Sequence, residues 1–401
     1  MRAMMSNNRK TRGLSLIEIM VALAIGSFLL LGIMQIFSGS SAAFRTNEAN
    51  SRIQESSRFA MDFLRRDLRM VGHLGCVNDR THFAPGVVPT LFSTFFDAAA
   101  GQTFTNAPLP LRFDLSIQGY EARNTQPGQL VNIAANPAVG AAADWVPALP
   151  APILALNPLA GSDVVVLRYF SAEAVRSYGP ARTTFTTPDP VTGQFTFNVS
   201  FAPFPVEARR FYGAADCQRA RVFQLSTAAG LPGVVSVLGA NGANVVGFGA
   251  MESLDGFREF FAAESVVFYT GRGVSGEPAL FRARLANSGG WVGEEIVEGV
   301  ENLQVLYGFD PQLRDLTRDY VTANTVDALP GTDAAKWLQV SSVKVGILVR
   351  NPGVSNTQRA AQPFRLMGLS LGAPLAAQEP IPRLRRAYET TVSLRNRLRT
   401  I

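Results

Sequence analysis

The residue whose position could do the most chemistry is Glu18, which stands at the head of an almost unbroken apolar run from Ile19 to Phe37. A charged side chain at the centre of a bilayer costs on the order of 2.5–3.5 kcal/mol, so such a residue usually has a partner. Opposite charges in apolar surroundings attract far more strongly than in water, although each also carries a desolvation cost. The pattern predicts that Glu18 meets a cationic group. An ordinary signal anchor with an incidental glutamate is the alternative.

A second motif with chemical potential is the glycine-rich segment 271–276, Gly-Arg-Gly-Val-Ser-Gly, which has the spacing of a dinucleotide fingerprint. It follows a predicted strand, but Glu277, Pro278 and a second predicted strand come next, so no helix N-terminus would face a pyrophosphate. We therefore predict a glycine-rich hairpin loop. Walker, nucleophile-elbow and His-Glu-x-x-His patterns are absent. We expect no enzyme activity and no cofactor.

Few residues could hold a metal ion or move a proton. His73 and His82 are the only histidines, too few for zinc or for most acid–base sites, and a structural or solvent-facing role is the better interpretation of His73. Asp310, Asp315 and Asp319 are candidate calcium ligands, yet the residues between them supply few further oxygens. We interpret all three as acids of a surface loop and predict no metal site.

The segment before the apolar run is basic. Residues 1–13 hold Arg2, Arg9, Lys10, Arg12 and no acid, and so account for four of the six net positive charges of the chain, which leaves +2. The basic charge therefore gives little reason to expect a nucleic-acid partner. Positive charge stays on the cytoplasmic side of a membrane, which predicts that the rest of the chain crosses it. The 19 residues of the run reach roughly 28 Å, about one bilayer core.

Cys76 and Cys217 are the only cysteines. An exported domain meets an oxidising compartment, which favours one disulfide between them. Two unpaired buried thiols are the alternative.

The apolar helix is expected to continue beyond the membrane. No proline occurs between Ser38 and Val71, and Gly72 and Gly75 then interrupt the pattern. Residues at three- and four-residue spacings form one mostly apolar face, namely Ile53, Ser57, Ala60, Leu64, Leu68 and Val71. We predict one helix over residues 14–72, with a membrane-spanning half 14–37 and an amphipathic half 38–72. At the standard rise it is roughly 88 Å long.

The remainder, residues 73–401, is expected to form one large head domain. Residues 78–161 are rich in Ala, Pro and Gly, with scattered aromatics, and predict irregular structure with short elements. After Gly161 the period changes to that of strands. The predicted strands are Asp163–Phe170, Thr183–Thr187, Gln194–Phe201, Ala220–Ser226, Val234–Leu238, Ser265–Thr270, Leu280–Leu285, Val300–Phe309, Val340–Arg350 and Glu389–Leu394. The fold class is α+β: a long N-terminal helix packed against a large, mainly antiparallel, β-rich head.

The chain ends in its densest basic run, formed by Arg383, Arg385, Arg386, Arg395, Arg397 and Arg399. Binding to nucleic acid would need interleaved aromatic residues, and only Tyr388 is near. An edge strand guarded by charge, or a subunit contact, is the favoured interpretation.

The N-terminal pattern resembles the prepilin signal of type IV pilins and of type II secretion pseudopilins: a basic leader, Gly13, a hydrophobic Leu14, and Glu18 at the fifth position after the glycine. The resemblance implies that a prepilin peptidase removes residues 1–13 by cleaving between Gly13 and Leu14 and then methylates the amine of Leu14. It also implies that the Glu18 carboxylate faces the positive amine of a neighbouring subunit during assembly.

Later blocks are similar to PilW-type minor pilins. These blocks are Arg69–Cys76, Ile117–Glu121, Ser162–Tyr169, Asp216–Ser226, Val297–Gly308 and Thr390–Arg397. His73 stands where such proteins commonly have Tyr.

This resemblance implies a low-abundance subunit that primes assembly of a type IV pilus and lies at its tip, and the bulk of the head favours that place. The implied partners are other minor pilins, the major pilin, the inner-membrane assembly platform and a tip adhesin. The chain would cross the inner membrane once, with its head in the periplasm, and then reach the cell surface in the pilus. A minor pseudopilin of a type II secretion system is the alternative function.

Overall fold

The computed structural model describes residues 15–76, 78–83, 89–177, 195–197, 209–225, 233–235, 242–246, 258–313, 317–353 and 362–397. The chain divides into two compact units, Met1–Ser51 and Arg52–Ile401. Residues 1–14, and with them the predicted leader, lie outside the described residues.

A single helix of 55 residues, α1, runs from Leu16 to Met70. It begins with a reciprocal capping arrangement in which the Ser15 and Glu18 side chains each accept a hydrogen bond from the other's backbone N–H. It ends just before Gly72, whose φ of 82° lies in the left-handed region that favours glycine. A Cβ at this position would lie 2.9 Å from Cγ of Arg397. The predicted long helix is therefore present within residues 14–72.

The head contains short helices and many strands. The helices are α2 (Asp79–His82), α3 (Ala151–Leu154), α4 (Ala323–Asp327) and α5 (Asp333–Trp337), with 3₁₀ turns at Phe104–Asn106, Leu109–Leu111, Ala142–Asp144 and Arg395–Arg397. The strands are β1 (Leu91–Ser93), β2 (Ile117–Ala122), β3 (Leu130–Asn132), β4 (Trp145–Val146), β5 (Val164–Ser177), β6 (Phe195–Phe197), β7 (Phe211–Ala215), β8 (Ala220–Gln224), β9 (Gly233–Val235), β10 (Arg258–Arg272), β11 (Pro278–Leu285), β12 (Trp291–Glu298), β13 (Val300–Phe309), β14 (Asp319–Val321), β15 (Val340–Arg350), β16 (Phe364–Leu366), β17 (Leu369–Gly372) and β18 (Arg385–Ser393).

The largest sheet has the strand order β1-β8-β7-β10-β5-β2-β4, with β11 pairing with both β10 and β12. Its pairs are antiparallel except the short contact between β1 and β8. The two long strands β5 and β10 lie at its centre and pair from Phe268 opposite Val165 to Arg258 opposite Ser177. They carry the dense β-branched and aromatic residues that favour strands.

A second sheet has the order β14-β13-β15-β18 and is antiparallel throughout. Strands β13 and β15 have the bounds that the sequence predicted. Strand β18 is an edge of this sheet. Two smaller sheets, β16-β17-β3 and β6-β9, complete the described strands.

The main core lies between the C-terminal half of α1 and the two larger sheets. The predicted apolar face of the helix supplies Ile53, Ala60, Leu64, Leu68 and Val71, which pack with side chains of β5, β13 and β15. These five residues are at most 1% exposed. The expected α+β fold is thereby confirmed: a long N-terminal helix followed by a mostly antiparallel, β-rich head.

A polar contact fixes the helix against the largest sheet. Asp67 of α1 accepts a hydrogen bond from Tyr169 Oη at 2.9 Å and forms an ion pair with Arg282 Nε at 2.6 Å. All three side chains are buried or nearly so.

Some strand predictions differ from the structure. Thr183–Thr187 lies outside the described residues, and of Gln194–Phe201 only β6 is described. Strands β7 and β12 were not predicted, because small residues in β7 and the Gly-Glu-Glu sequence in β12 have low strand propensity. Both form because they pair with neighbouring strands.

Candidate assembly site

The first half of α1 exposes its apolar side chains on every side. Large apolar residues between Leu16 and Phe37 are 46% to 79% exposed. Within the described residues, α1 is the one helix long and apolar enough to cross a membrane. Helices near an N-terminus that act as signal sequences share these properties. A surface of this kind needs lipid or other subunits to cover it.

Glu18 lies at the start of this exposed helix. Its Oε2 accepts a hydrogen bond from the Ser15 N–H at 3.3 Å, and its own N–H donates to Ser15 Oγ at 3.2 Å. The carboxylate favours the positive end of the helix dipole. It forms no ion pair with another described residue. Gly13 and Leu14, the predicted processing residues, lie outside the described part of the chain.

Three glycines leave free space on the surface of the same helix. A Cβ added at Gly26, Gly32 or Gly39 would meet no atom within 4 Å. Small residues let helices approach closely in a membrane or a bundle. This half of α1 can therefore accept a neighbouring helix at close range.

A disulfide ties the segment that follows α1 to the largest sheet. Cys76 and Cys217 are bonded, with their Cα atoms 4.9 Å apart. Cys217 lies in the turn between β7 and β8, where Asp216 accepts hydrogen bonds from the N–H groups of Gln218 and Arg219. The two cysteines are 141 positions apart in the sequence, so the bond closes a long loop.

Both histidine rings form hydrogen bonds within the head. The His73 ring hydrogen-bonds through Nδ1 to the Phe170 carbonyl at 2.8 Å, and the buried His82 through Nδ1 to Thr90 Oγ1 at 2.6 Å. Burial lowers the pKa of His82 to about 4, and the carboxylates of Asp79 and Asp216 oppose that shift. His82 is therefore neutral at pH 7.

The three candidate calcium ligands do not share one environment. Asp310 is buried and pairs with Arg80 at 3.5 Å, so its interpretation as a surface acid was wrong. Asp310 directly follows the last residue of β13, and its N–H donates to the Gln339 carbonyl. These backbone contacts hold it inside the head. Asp319 is exposed at the start of β14, and Asp315 lies outside the described residues. No group of three metal-binding side chains occurs in the described residues.

The glycine-rich motif is a hairpin loop, as predicted. It joins β10 to β11, with Arg272 opposite Pro278, and Gly276 has a φ of 85°. The Gly273 N–H donates to the Glu277 carbonyl at 2.8 Å. No helix follows, so the loop presents no phosphate-binding helix N-terminus.

Three arginines of the basic run form ion pairs inside the head, whereas Arg386 and Arg395 are exposed. Arg383 pairs with Glu277 at 2.6 Å, and Arg385 pairs with Glu301 and with Glu379. Arg397 is 1% exposed and pairs with Asp79, while its Nη1 donates to two backbone carbonyls. Arg399 lies outside the described residues. These ion pairs could not be found from the spacing of the arginines, because the acids lie up to 318 positions away.

Comparison with known families assigns two segments of the chain. The family described as type IV pilus-assembly protein W, PilW, matches residues 267–396. The prokaryotic N-terminal methylation motif matches residues 8–34. The resemblance to PilW-type, prepilin-like minor pilins is confirmed. The comparisons with curated proteins and with solved structures gave no match.

By these matches the chain is similar to type IV pilin-like proteins of pilus assembly, and its apolar N-terminal helix fits a membrane anchor. The matches point to a structural component of pili and not to an enzyme. The methylation motif contains Gly13, Leu14 and Glu18. The PilW match contains β11 to β18 with Glu277, Glu301, Arg383 and Arg385, whereas the Asp79–Arg397 pair lies outside it.

Asp163, in the PilW-like block Ser162–Tyr169, is a buried carboxylate that joins separate parts of the chain, a site that the sequence did not indicate. Asp163 precedes β5 and accepts hydrogen bonds from the N–H groups of Ala122 on β2 and Val305 on β13, both at 2.8 Å. It thus joins the two main sheets. Burial raises the pKa of Asp163 and that of its neighbour Glu121, and the charge of Asp163 raises the pKa of Glu121 further.

Proposed function

We propose that this chain is a minor subunit of the type IV pilus that primes assembly together with other minor pilins. The observation that carries the proposal is the apolar half of α1. It is exposed along its length and has Glu18 near its start, whose carboxylate has Ser15 as its one hydrogen-bond partner among the described residues. The family matches at both ends of the chain support the same assignment.

The proposed mechanism starts with processing. The peptidase cleaves between Gly13 and Leu14, and the new amine of Leu14 is methylated. The mature chain then consists of a helix over residues 14–72 and a head over residues 73–401. While Glu18 stays in lipid, its charge is held at the helix N-terminus by the Ser15 N–H. The cationic amine of a neighbouring subunit supplies a stronger partner, because a full charge binds a carboxylate better than a backbone dipole does.

Placement at the pilus tip follows from size. The head includes all the strands that the structure describes and is much bulkier than the helix that would pack in a shaft. A subunit of this bulk is accommodated most easily where no further subunits stack above it. The proposed partners are other minor pilins, the major pilin, the assembly platform and a tip adhesin.

Substitution of Glu18 by Ala tests the proposal. We expect Glu18→Ala to leave membrane insertion and leader cleavage intact, and to abolish incorporation into pili and twitching motility. Glu55→Ala is the matched control, since Glu55 is an exposed acid on the same helix, outside the apolar run. Immunoblots of sheared pili and of membranes measure both steps. Normal piliation in the Glu18 variant would contradict the proposed role.

A type II secretion pseudopilin shares the methylation motif, so processing cannot separate the two functions. Deletion of the gene separates them. A minor pilin is required for surface pili, and its loss leaves secretion of proteins into the medium unchanged. Mass spectrometry of the mature protein should show N-methylated Leu14 in either case.

A further inference from the structure

Strand β12 is an open edge of the largest sheet. Its ladder with β11 is its one pairing among the described residues, and no other backbone hydrogen bond joins it to them. Three consecutive residues, Val292, Gly293 and Glu294, are exposed. Gly293 has no side chain, so its exposure means that the backbone itself is accessible. An open edge of this kind can pair with a further strand.

The pairing of β12 is regular over its exposed part. Residues from Trp291 opposite Leu285 to Glu295 opposite Phe281 keep one register, and the shift that follows leaves Ile296 without an opposite residue. The bulge bends the strand beyond Glu295. The stretch Trp291–Glu295 is therefore the part of the edge that presents evenly spaced backbone groups.

The edge carries negative charge that no described cation neutralises. Strand β12 contains Glu294, Glu295 and Glu298, and no Lys or Arg. Glu295 accepts a hydrogen bond from the Val274 N–H, and Glu298 accepts one from the Ser275 hydroxyl, so their partners are neutral. The carboxylate of Glu294 has no hydrogen bond or ion pair with a described residue.

The cation opposite Glu294 in the strand register is already engaged. Arg282 lies directly opposite Glu294 in the register, but its guanidinium pairs with Asp67 of α1 at 2.6 Å. The Glu294 charge is therefore available to an incoming chain. A second copy of β12 is a poor partner, because its glutamates would face these glutamates and like charges on paired strands repel.

We propose that the outer edge of β12 is a strand-addition site for an extended segment of another polypeptide that carries Lys or Arg at alternating positions. Backbone hydrogen bonds supply affinity in this mode of recognition, and the side chains supply selectivity. A basic residue beside Glu294 forms a cross-strand ion pair, and the alkyl stem of the next basic residue on that face covers Val292, which is 63% exposed. The head would bind such a segment even if the chain had no part in pili, so the two proposals fail separately.

A designed peptide tests the site. The full chain in a neutral detergent is titrated with an eight-residue peptide of alternating lysine and threonine, and binding is followed by fluorescence anisotropy at low salt. Backbone hydrogen exchange over residues 291–298 is measured in parallel. We expect saturable binding that slows exchange in β12 by about tenfold or more. A peptide N-methylated at alternate amides should not bind, because it cannot complete the ladder.

Charge reversal distinguishes strand pairing from general attraction. We expect Glu294→Lys to weaken binding of the lysine peptide about fivefold to tenfold and to create binding of the matching glutamate–threonine peptide. Glu173→Lys, at an exposed acid of β5, should change neither affinity. Absence of binding, binding that leaves exchange in β12 unchanged, or equal effects of the two reversals would overturn the proposal.

Discussion

The two halves of α1 differ in what buries their apolar side chains. From Leu16 to Phe37 the helix is exposed all round, although it is almost entirely apolar. From Ile53 to Val71 it is amphipathic, and its apolar face is fully buried in the head. The second half needs its own chain to be stable, whereas the first half needs lipid or other subunits. One continuous helix thus serves folding at one end and is free for assembly at the other.

The polar groups of the two halves follow the same division. Asp67 has a Tyr and an Arg of its own chain as partners, while Glu18 has one neighbouring serine. A buried acid without partners would be strongly unfavourable, so the head supplies them. At the N-terminus of the helix, a stronger partner for Glu18 has to come from outside the described chain.

The largest expected effect on folding concerns the charge pair between Asp79 and Arg397, the most deeply buried among the described residues. Asp79→Ala should lower the free energy of unfolding by about 3–5 kcal/mol, because it leaves Arg397 buried and uncompensated. Urea unfolding followed by tryptophan fluorescence measures this, since all three tryptophans are in the head. Glu18→Ala should change the same transition by less than about 0.5 kcal/mol. Equal effects would mean that the two ends of the chain do not differ as described.

A matched pair of leucines probes the two halves of α1 directly. Leu64 is 0% exposed and Leu30 is 61% exposed. Leu64→Ala should destabilise the head by about 2–5 kcal/mol through the lost burial and the cavity. Leu30→Ala should leave the urea midpoint of the head nearly unchanged. A large effect of Leu30→Ala on that midpoint would show that the apolar half contributes to folding of the head after all.

A pH titration reports on the core next to the end of α1. The pKa of His82 is lowered from 6.5 to about 4 in the folded head. Stability due to the neutral ring is therefore complete above pH 6.5 and is lost as the pH falls from 6.5 towards 4, by at most about 3 kcal/mol. Urea midpoints across this range should show the loss. His82→Gln should remove this dependence of the urea midpoint on pH, and His73→Gln should leave it unchanged. A pH dependence that His82→Gln does not alter would exclude His82 as its source.

The smallest expected change concerns metal ions. Asp310 is paired with Arg80, and the described residues offer no cluster of three ligands. We expect calcium or EDTA to shift the Tm of the head by less than about 1 °C, because a ligand stabilises only the state that binds it. Calorimetry in each condition measures this. A shift of several degrees would return the segment around Asp310 to consideration as a calcium site.

The extent to which sequence predicts this molecule depends on whether the signal is local. Strands β13 and β15 could be predicted to the residue, because β-branched and apolar side chains fill them, and α1 could be predicted from its uninterrupted period. Strand β12 could not, since its Gly-Glu-Glu sequence becomes a strand through its pairing with β11.

The candidate site divides in the same way. Glu18 and its apolar run are contiguous in sequence and were found at once. The bridging role of Asp163 depends on Ala122 and Val305, which are brought to it by the fold. The same holds for Arg397, whose partner Asp79 is 318 positions away. Residues that act through distant partners carry no local pattern by which to recognise them.

The bond between Cys76 and Cys217 has a mechanical consequence. When α1 is pulled, the disulfide passes the force from the residues just after the helix directly to the turn between β7 and β8. The residues between the two cysteines, whose positions are 141 apart, are then out of the line of force and cannot unfold by extension while the bond holds. Pulling on the helix therefore loads the head at the two cysteines, while the residues between them carry no tension.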